Sequence, residues 1–388
     1  MAAATSLLIT SFILLGLHLT EAQIGVCYGR KGNNLPSGEN TTQLYDYYGI
    51  EAMRLYEPDE TTLKALQGAG IKLMLGVPNE EIECMACDQP IADEWVQDNV
   101  VPYVEFIKYI VVGNEIHPSD QPASSVESAM QNILNALNSN NITSDIKVST
   151  AIDTSLIINS YPPSNAKFKN LSYVGPIINF LTINESPLLV NIQPYTTYMN
   201  DPKNIRLDFA LFTACGIVFT DENSGKNYQN LFDAIYDAMY VAIEKVVTNA
   251  PNDEYTYSVD NGRRHNKRHK PPRVVISESG WPSKGGFGEK IKMKASRKRH
   301  HQTNGGLECG GELHNGVEEA ATPENAKTYY TNLIKHVKKG TPLTLGQEIE
   351  TYLFAMFDED QKPGDESERS YGLFTPDQQP KYGVLDIC

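Results

Sequence analysis

The 388-residue sequence lacks most of the features that mark metal, redox and nucleotide-binding proteins. Its six cysteines include one C-x-x-C pair, Cys84 and Cys87, but no second pair or histidine cluster completes a zinc site. We interpret this pair as part of a loop or as an incidental spacing. No G-x-G-x-x-G sequence follows the first predicted strand, and no P-loop sequence occurs. The sequence therefore lacks both usual nucleotide-binding motifs. We therefore predict no cofactor and no metal.

Long apolar runs are also scarce, and the one that occurs lies at the start of the chain. Leu7–Leu19 is apolar, and Thr20-Glu21-Ala22 supplies the small residues of a cleavage site, so residues 1–22 are predicted to be a secretory signal peptide. An uncleaved anchor is the alternative, but the run is too short to span a bilayer. The C-terminal residues form no hydrophobic tail, so a lipid-linked anchor is not predicted. We expect a secreted, extracellular protein without a membrane segment. Four glycosylation sequons agree with this: Asn40, Asn141, Asn170 and Asn184.

Basic residues are few and unevenly placed. The chain has 33 Lys and Arg against 48 Asp and Glu, for a net charge of −15. Residues 249–301 nevertheless carry 13 Lys or Arg and only 5 Asp or Glu. The rest of the chain is strongly acidic, so it is not expected to bind nucleic acid or an anionic membrane by electrostatic attraction.

What the chain does have is a regular alternation of short apolar segments with helical patterns. Intact apolar runs are typical of parallel strands buried on both faces. The pattern predicts a single α/β domain over residues 23–388, a (β/α)8 TIM barrel, with a doubly wound open sheet as the alternative. Asp59 and the sequence Thr322-Pro323-Glu324-Asn325 are predicted to begin helices. The eight predicted strands are Gln23–Gly29, Ile50–Tyr56, Ile71–Val77, Tyr109–Glu115, Ile146–Ile152, Leu188–Tyr195, Arg273–Ser279 and Glu350–Phe357.

Two tracts, at about residues 249–272 and 288–320, depart from this alternation. Both are basic in part and lack apolar periodicity, which is typical of disordered surface loops. We interpret them as translated non-coding sequence. The alternative is a functional loop that binds an acidic polysaccharide or another polyanion.

Two of the predicted strands end in an acid, Glu115 in V-G-N-E and Glu278 in V-I-S-E-S-G-W-P-S. Taken alone, each could be a capping or salt-bridged acid. In an eight-stranded barrel, however, the ends of the fourth and seventh strands face each other across the mouth. Two carboxylates about 5 Å apart are the geometry of a retaining glycosidase, in which one is the nucleophile and the other the acid/base. Asn114 could then hydrogen-bond a sugar 2-hydroxyl.

These motifs, with several others in the same order, resemble the plant β-1,3-glucanases of glycoside hydrolase family 17. The resemblance runs from about Gln23 to Tyr382, apart from the two tracts. It is carried by I-G-V-C-Y-G, M-R-L-Y, V-G-N-E, L-D-F-A-L-F-T-A, Q-N-L-F-D-A, S-E-S-G-W-P-S, T-P-E-N-A, E-T-Y-L-F-A-M-F-D-E and E-R-S-Y-G-L-F. It implies a (β/α)8 barrel that hydrolyses internal β-1,3 linkages with retention.

The resemblance also implies roles for individual residues. Glu278 matches the nucleophile and Glu115 the acid/base. Three residues match a charged cluster beside the nucleophile, and three others match sugar-contacting positions. The supporting cluster is Glu359, Lys362 and Glu368; the sugar contacts are Tyr28, Asn114 and Tyr195. Asp358, Asp360 and Asp365 fall outside the match and are interpreted as a solvated charged loop. Gln193, where the family usually has Tyr, is expected to change a subsite contact and not the chemistry.

Three hypotheses follow. The first is a monomeric endo-β-1,3-glucanase that acts on β-1,3-glucan in the plant apoplast or cell wall. Plant defence is one role that the family resemblance implies for such an enzyme. The second is a glucan-binding protein whose catalysis is impaired by the two tracts. The third is polyanion binding by those tracts. A mixed-linkage β-1,3/1,4-glucanase is also compatible with the sequence, because linkage preference depends on the shape of the cleft.

Overall fold

The computed structural model describes residues 23–142, 146–248, 257–260, 263–266, 270–286, 320–383 and 385–387. Eight parallel strands close into a barrel whose spatial order follows the chain. The predicted (β/α)8 TIM barrel is therefore confirmed. The strands are β1 (Ile24–Tyr28), β2 (Ala52–Leu55), β3 (Lys72–Val77), β4 (Ile107–Asn114), β5 (Lys147–Asp153), β6 (Leu188–Asn191), β7 (Val274–Ser279) and β8 (Thr351–Leu353).

Most strand residues are buried, which explains why the strands read as unbroken apolar runs. Two strands are irregular near their carboxyl ends. The pairing of β4 with β5 shifts between Val111 and Asn114, and the pairing of β7 with β6 shifts between Ile276 and Glu278. Such irregularities re-aim the side chains that follow them. Both occur where the sequence predicts catalytic acids.

Ten helices are described, most of them outside the barrel. Asp59 and Thr322 begin α2 and α10 as predicted, because their side chains accept hydrogen bonds from the main-chain N–H groups of Thr62 and Asn325. The helices are α1 (Gly38–Tyr47), α2 (Glu60–Leu66), α3 (Ile82–Cys87), α4 (Gln89–Asn99), α5 (Val126–Ser139), α6 (Leu171–Ile183), α7 (Pro194–Asn200), α8 (Leu207–Ala210), α9 (Leu231–Thr248) and α10 (Pro323–Val337).

Short elements decorate the connections. Three antiparallel pairs are Ile157–Ile158 with Lys167–Phe168, Phe219–Asp221 with Lys226–Tyr228, and Tyr257–Asp260 with Arg263–Asn266. Single 3-10 turns are Asn79–Glu81, Val101–Tyr103, Gln121–Ser125, Thr154–Leu156, Pro163–Asn165 and Glu366–Arg369.

The structure differs from the sequence predictions at several places, among them the eighth strand, which ends at Leu353 rather than Phe357. The sixth strand stops at Asn191, because Pro194 begins α7 rather than continuing the strand. Cys84 and Cys87 lie on α3, not in a loop. The first tract, predicted to lack regular structure, contains the two paired strands of residues 257–260 and 263–266.

Several predictions fall outside the described residues. These are the signal peptide at 1–22, most of the tract at 249–272, and all of the tract at 288–320 except Ala320. Across the part of the chain that is described, no helix has the length and apolar character needed to cross a bilayer. Within the same residues, no group of three or more His, Cys, Asp and Glu side chains could hold a metal ion.

Candidate active site

A cleft of about 830 Å³ lies at the carboxyl ends of the strands. All eight strands, or the loops that directly follow them, contribute to its wall. One lining residue for each strand in order is Tyr28, Tyr56, Asn79, Glu115, Asp153, Asn191, Glu278 and Phe354. A cleft in this position is where the chemistry of a TIM barrel is located.

Glu278 lies in the floor of the cleft and is only 6% exposed. Its Oε1 accepts a hydrogen bond of 2.9 Å from Arg54 Nη1 and one of 2.8 Å from the Tyr56 hydroxyl. Within the described residues both donors reach this one oxygen, so Oε2 is available to a substrate. The buried Arg54 guanidinium also supplies the counter-charge that a carboxylate needs at such a site.

Glu115 follows β4 and lines the same cleft. Its Oε1 accepts a 2.8 Å hydrogen bond from Asn191 Nδ2. Burial, followed by the nearby Glu278 carboxylate, raises the pKa of Glu115 to about 7, and the charge of Asp153 acts in the same direction. The two acids therefore have different surroundings: Glu278 is paired with a cation, whereas Glu115 holds its proton up to near-neutral pH.

Asn191, at the end of β6, connects the two acids. While its Nδ2 donates to Glu115, its Oδ1 accepts hydrogen bonds from Arg54 Nη1 at 3.1 Å and from Ser277 Oγ at 2.7 Å. The same Arg54 nitrogen reaches Glu278. One side-chain amide and one guanidinium thus fix the relative positions of the two carboxyl groups.

Asn114 belongs to this network through its oxygen. Its Oδ1 accepts from Arg54 Nη2 at 2.7 Å and from Asn191 Nδ2 at 3.0 Å. Both bonds orient the amide with its oxygen towards the barrel interior. In the described part of the chain its Nδ2 has no partner, so this N–H group is available to a sugar hydroxyl in the cleft.

The predicted supporting cluster lies along the cleft wall beyond β8. Glu359 is buried and accepts a 2.7 Å hydrogen bond from the main-chain N–H of Lys31. A Cβ at Gly29 would collide with this carboxylate, which explains the glycine after Tyr28. Burial raises the pKa of Glu359, while the Lys31 bond and the charge of Lys362 act in the opposite direction.

Lys362 and Glu368 form an ion pair with an N···O distance of 3.5 Å, and the Lys362 ammonium lies 4.0 Å from the centre of the Phe354 ring. All three side chains line the cleft. The structure therefore brings Lys362 and Glu368 to the surface of the cleft. The charge of Glu278 also raises the pKa of Glu359.

The predicted sugar contacts are divided between the cleft and its surroundings. Tyr28 lines the cleft, with its hydroxyl donating to Pro36 O at 3.2 Å. Tyr195 does not line it: the side chain is 5% exposed, and its ring packs against Trp281 at 5.2 Å between centroids. A direct sugar contact by Tyr195 finds no support in this position, because the turn into α7 directs the ring behind the wall.

Gln193, from the same turn, does line the cleft. Its Oε1 accepts a 3.2 Å hydrogen bond from the main-chain N–H of Gly280. Gln193 therefore holds the segment that follows Glu278, in addition to facing the cleft.

Sequence reasoning missed three members of the site: Arg54, Tyr56 and Asn191. Arg54 is a charged residue inside the apolar strand β2, and Asn191 is a polar residue at the end of β6. A charge within a buried strand needs a buried partner, and that signal could have identified Arg54. The partner itself comes from β7, which the sequence of β2 cannot reveal.

The chain matches the glycosyl hydrolases family 17 over residues 24–250 and 311–386, so that β7 and Glu278 lie between the two matched segments. It is 44% identical over 385 residues to "Glucan endo-1,3-beta-glucosidase" of Vitis vinifera, covering 97% of this chain and 96% of that protein. It is 41% identical to the acidic isoform GL153 of Nicotiana tabacum, covering 98% of this chain and 92% of that protein.

A solved structure agrees with this similarity. The structure of CJP38, described as a beta-1,3-glucanase and allergen of Cryptomeria japonica pollen, superposes with a TM-score of 0.75 at 37% identity. The superposition covers 94% of this chain and 98% of that one. Fold, site and sequence agree, and the chain belongs to glycosyl hydrolase family 17.

Proposed function

We propose that this protein is an endo-acting glycosidase that hydrolyses β-1,3-glucosidic linkages of β-glucans with retention of anomeric configuration. The observation that carries the proposal is the pair of carboxyl groups, Glu115 and Glu278, joined through Asn191 and Arg54 in one cleft. The names of the relatives supply the substrate class.

In the first step, Glu278 Oε2 attacks the anomeric carbon of the sugar at the cleavage point. The glycosidic bond breaks, and Glu115 gives its proton to the departing oxygen. The product is a glycosyl ester on Glu278 and an ionised Glu115. Because burial keeps Glu115 protonated up to about its raised pKa of 7, the acid is available at mildly acidic pH.

In the second step, water replaces the leaving group. Glu115 now takes a proton from the water, the water oxygen attacks the anomeric carbon, and the ester bond to Glu278 breaks. Two inversions give net retention. Asn114 Nδ2 is positioned to donate to the 2-hydroxyl of the reacting sugar, where hydrogen bonds strengthen in the transition state.

Product analysis on soluble β-1,3-glucan tests the activity. We expect release of short oligosaccharides, with the β-anomer formed first in a proton NMR time course. Glu278→Ala should lower kcat by roughly 10⁴-fold or more with the fold retained. Full activity in that variant contradicts the proposal, and glucan binding without turnover by the wild type supports the impaired binding protein instead. A parallel digestion of mixed β-1,3/1,4-glucan determines whether that linkage is also cleaved.

Rescue by azide separates the roles of the two acids. In Glu278→Ala, azide can attack from the emptied side and give the α-glycosyl azide. In Glu115→Ala, the glycosyl-enzyme still forms on a substrate with a good leaving group, and azide then gives the β-glycosyl azide. The opposite pairing of variants and anomers would exchange the two assignments.

The proposal extends to location and assembly. The apolar run Leu7–Leu19 and the four sequons support secretion to the apoplast or cell wall. Described residues from all eight strands of one chain, or from the loops that directly follow them, line the cleft, which supports a monomer. Mass spectrometry of the natural protein should find Gln23 as its first residue. Size-exclusion chromatography with light scattering should give the mass of a monomer. The same mass map would establish whether the tracts at 249–272 and 288–320 occur in the natural protein.

A further inference from the structure

Asn79, in the turn that follows β3, holds the main chain of β4 from the side. Its Nδ2 donates a 3.0 Å hydrogen bond to the Asn114 carbonyl oxygen. Its Oδ1 accepts a 2.8 Å hydrogen bond from the Asn114 N–H. One side chain therefore satisfies both main-chain polar groups of the residue that precedes Glu115, as a neighbouring strand would do.

The segment that Asn79 holds has an unusual backbone conformation. Glu115 has a φ of 54°, and Gly113 has a φ of 77°. A left-handed conformation is rare for residues other than glycine and costs free energy, so it persists only where surrounding contacts impose it. At Glu115 those contacts are the Asn79 bonds on one side and a 2.9 Å bond from Glu115 N–H to Ala151 O on the other.

We propose that Asn79 is a positioning residue for the acid/base: it clamps the two peptide groups that flank the Asn114 Cα so that Glu115 can turn into the cleft. This inference rests on the proposed function, since it assigns a role with respect to Glu115 as proton donor. It concerns a residue that neither the motifs nor the hydrogen bonds to the two carboxyl groups identify.

The clamp acts on both functional side chains of the N-E pair. Asn114 must present its oxygen to Arg54 and Asn191, while Glu115 must present its carboxyl to Asn191. Both orientations depend on the two peptide planes that meet at the Asn114 Cα. Rotation of either plane would separate Glu115 from Asn191 and from the leaving oxygen. Because misplacement by about 1 Å can cost a factor of roughly 10², a small rotation is sufficient to affect kcat.

The test compares Asn79→Ala with a matched control, Asn132→Ala. Asn132 on α5 is also half-buried, and its Nδ2 donates to the carbonyl oxygens of Met85 at 2.8 Å and Ala86 at 3.2 Å. The control removes an amide that holds main chain elsewhere in the same barrel, without touching the cleft. The measurements are the thermal midpoint, kcat and KM on soluble β-1,3-glucan, and the pH dependence of kcat/KM.

We expect Asn79→Ala to lower kcat by about ten- to a hundredfold with KM changed less than about threefold. The basic limb of its kcat/KM profile should move to lower pH. A displaced Glu115 is better solvated and lies farther from Glu278, and both changes lower its pKa. Asn132→Ala should keep the kcat, KM and pH profile of the wild type even if its thermal midpoint falls.

A milder variant keeps the test valid if the alanine variant does not fold. Asn79→Gln retains both the amide donor and the amide acceptor but places them one methylene group farther from the main chain. It should lower kcat by less than Asn79→Ala, with KM unchanged. Wild-type kcat and pH profile in both Asn79 variants would overturn the inference, as would equal kcat losses in Asn79→Ala and Asn132→Ala. A wild type without hydrolytic activity would instead contradict the proposed function.

Discussion

The two ends of the barrel each bury a carboxylate among cations, but they satisfy it differently. At the amino end, Glu350 accepts from Lys108 at 2.8 Å through Oε1, and from Arg273 and Tyr109 at 2.9 Å through Oε2. At the carboxyl end, the two hydrogen bonds that described residues donate to Glu278 both reach Oε1. Both oxygens of Glu350 are hydrogen-bonded, so its cluster is structural. Glu278 keeps Oε2 without a partner among the described residues, so this oxygen is available for chemistry.

Glu115 extends the contrast, because it is largely buried and has no cation as a direct partner among the described residues. Its raised pKa is a measure of how unfavourable its charged form is in the folded protein. An active site commonly carries groups that would be more stable elsewhere. The comparison therefore predicts that changes at the carboxyl end reduce activity more than stability, and that changes at the amino end do the reverse.

Among the variants that test this comparison, the largest effect is expected for Glu115→Gln, which removes the proton donor. Activity on soluble β-1,3-glucan should fall roughly 10²–10⁴-fold. Because the folded pKa is raised from 4.5 to about 7, wild-type stability is lost as pH rises through that interval. The variant should then be more stable than the wild type at about pH 8, by on the order of 3 kcal/mol, and equally stable at about pH 4. Urea unfolding at the two pH values measures the difference.

Next in size is Glu350→Ala, which leaves Lys108 and Arg273 without their shared carboxylate. Breaking a buried ion pair in this way costs about 3–5 kcal/mol. The free energy of unfolding should fall by that order, although partial exposure of both cations favours the lower value. The kcat of the folded fraction should stay within about twofold of the wild type. A loss of kcat with unchanged stability would show that the amino end is coupled to the chemistry.

A matched pair of tyrosines gives a smaller effect at each end. Tyr56 donates to Glu278 and Tyr109 donates to Glu350, at 2.8 and 2.9 Å. Hydrogen bonds to charged groups contribute about 1.5–3 kcal/mol. Tyr56→Phe should lower kcat by about tenfold with little change in thermal midpoint. Tyr109→Phe should lower the midpoint by several degrees with kcat unchanged. Similar outcomes in the two variants would remove the distinction between the ends.

The smallest expected effect is a shift in pH profile for Asp153→Asn. The Asp153 charge raises the pKa of Glu115, so its removal should lower that pKa and move the basic limb of kcat/KM to lower pH. Asp153 also accepts hydrogen bonds from His117 Nε2 at 2.8 Å and from Ser155 N–H at 2.6 Å, which Asn can replace in part. The kcat at the optimum should change less than about threefold. A limb that moves to higher pH would contradict the electrostatic account.

The barrel and its two acids could be predicted from sequence, because both depend on local patterns. An apolar strand that ends in an acid can be recognised without knowing its neighbours, and Glu115 and Glu278 were identified in this way. The parallel barrel then follows from repeated alternation. The family match adds the order of the motifs, although Glu278 lies between its two matched segments.

The partners of those acids could not be predicted, because they come from strands far apart in the chain. Arg54 on β2 reaches Glu278 on β7, and Asn191 on β6 reaches Glu115 beyond β4. Neither pairing has a local sequence signal. Tyr195 illustrates the opposite case: the motif matched, but the turn at Pro194 carries the ring behind the cleft wall.

The mechanism depends above all on Glu278 forming the covalent bond to the sugar. A 2-deoxy-2-fluoro-β-laminaribiosyl fluoride should react quickly and hydrolyse slowly, because the fluorine atom destabilises both transition states while the fluoride remains a good leaving group. Mass spectrometry of the digested protein then locates the adduct. We expect one disaccharide adduct, attached to the peptide that contains Glu278. The same adduct should be absent from the Glu278→Gln variant. An adduct on Glu115 or Glu359, or an unlabelled protein that still hydrolyses β-1,3-glucan, would contradict it.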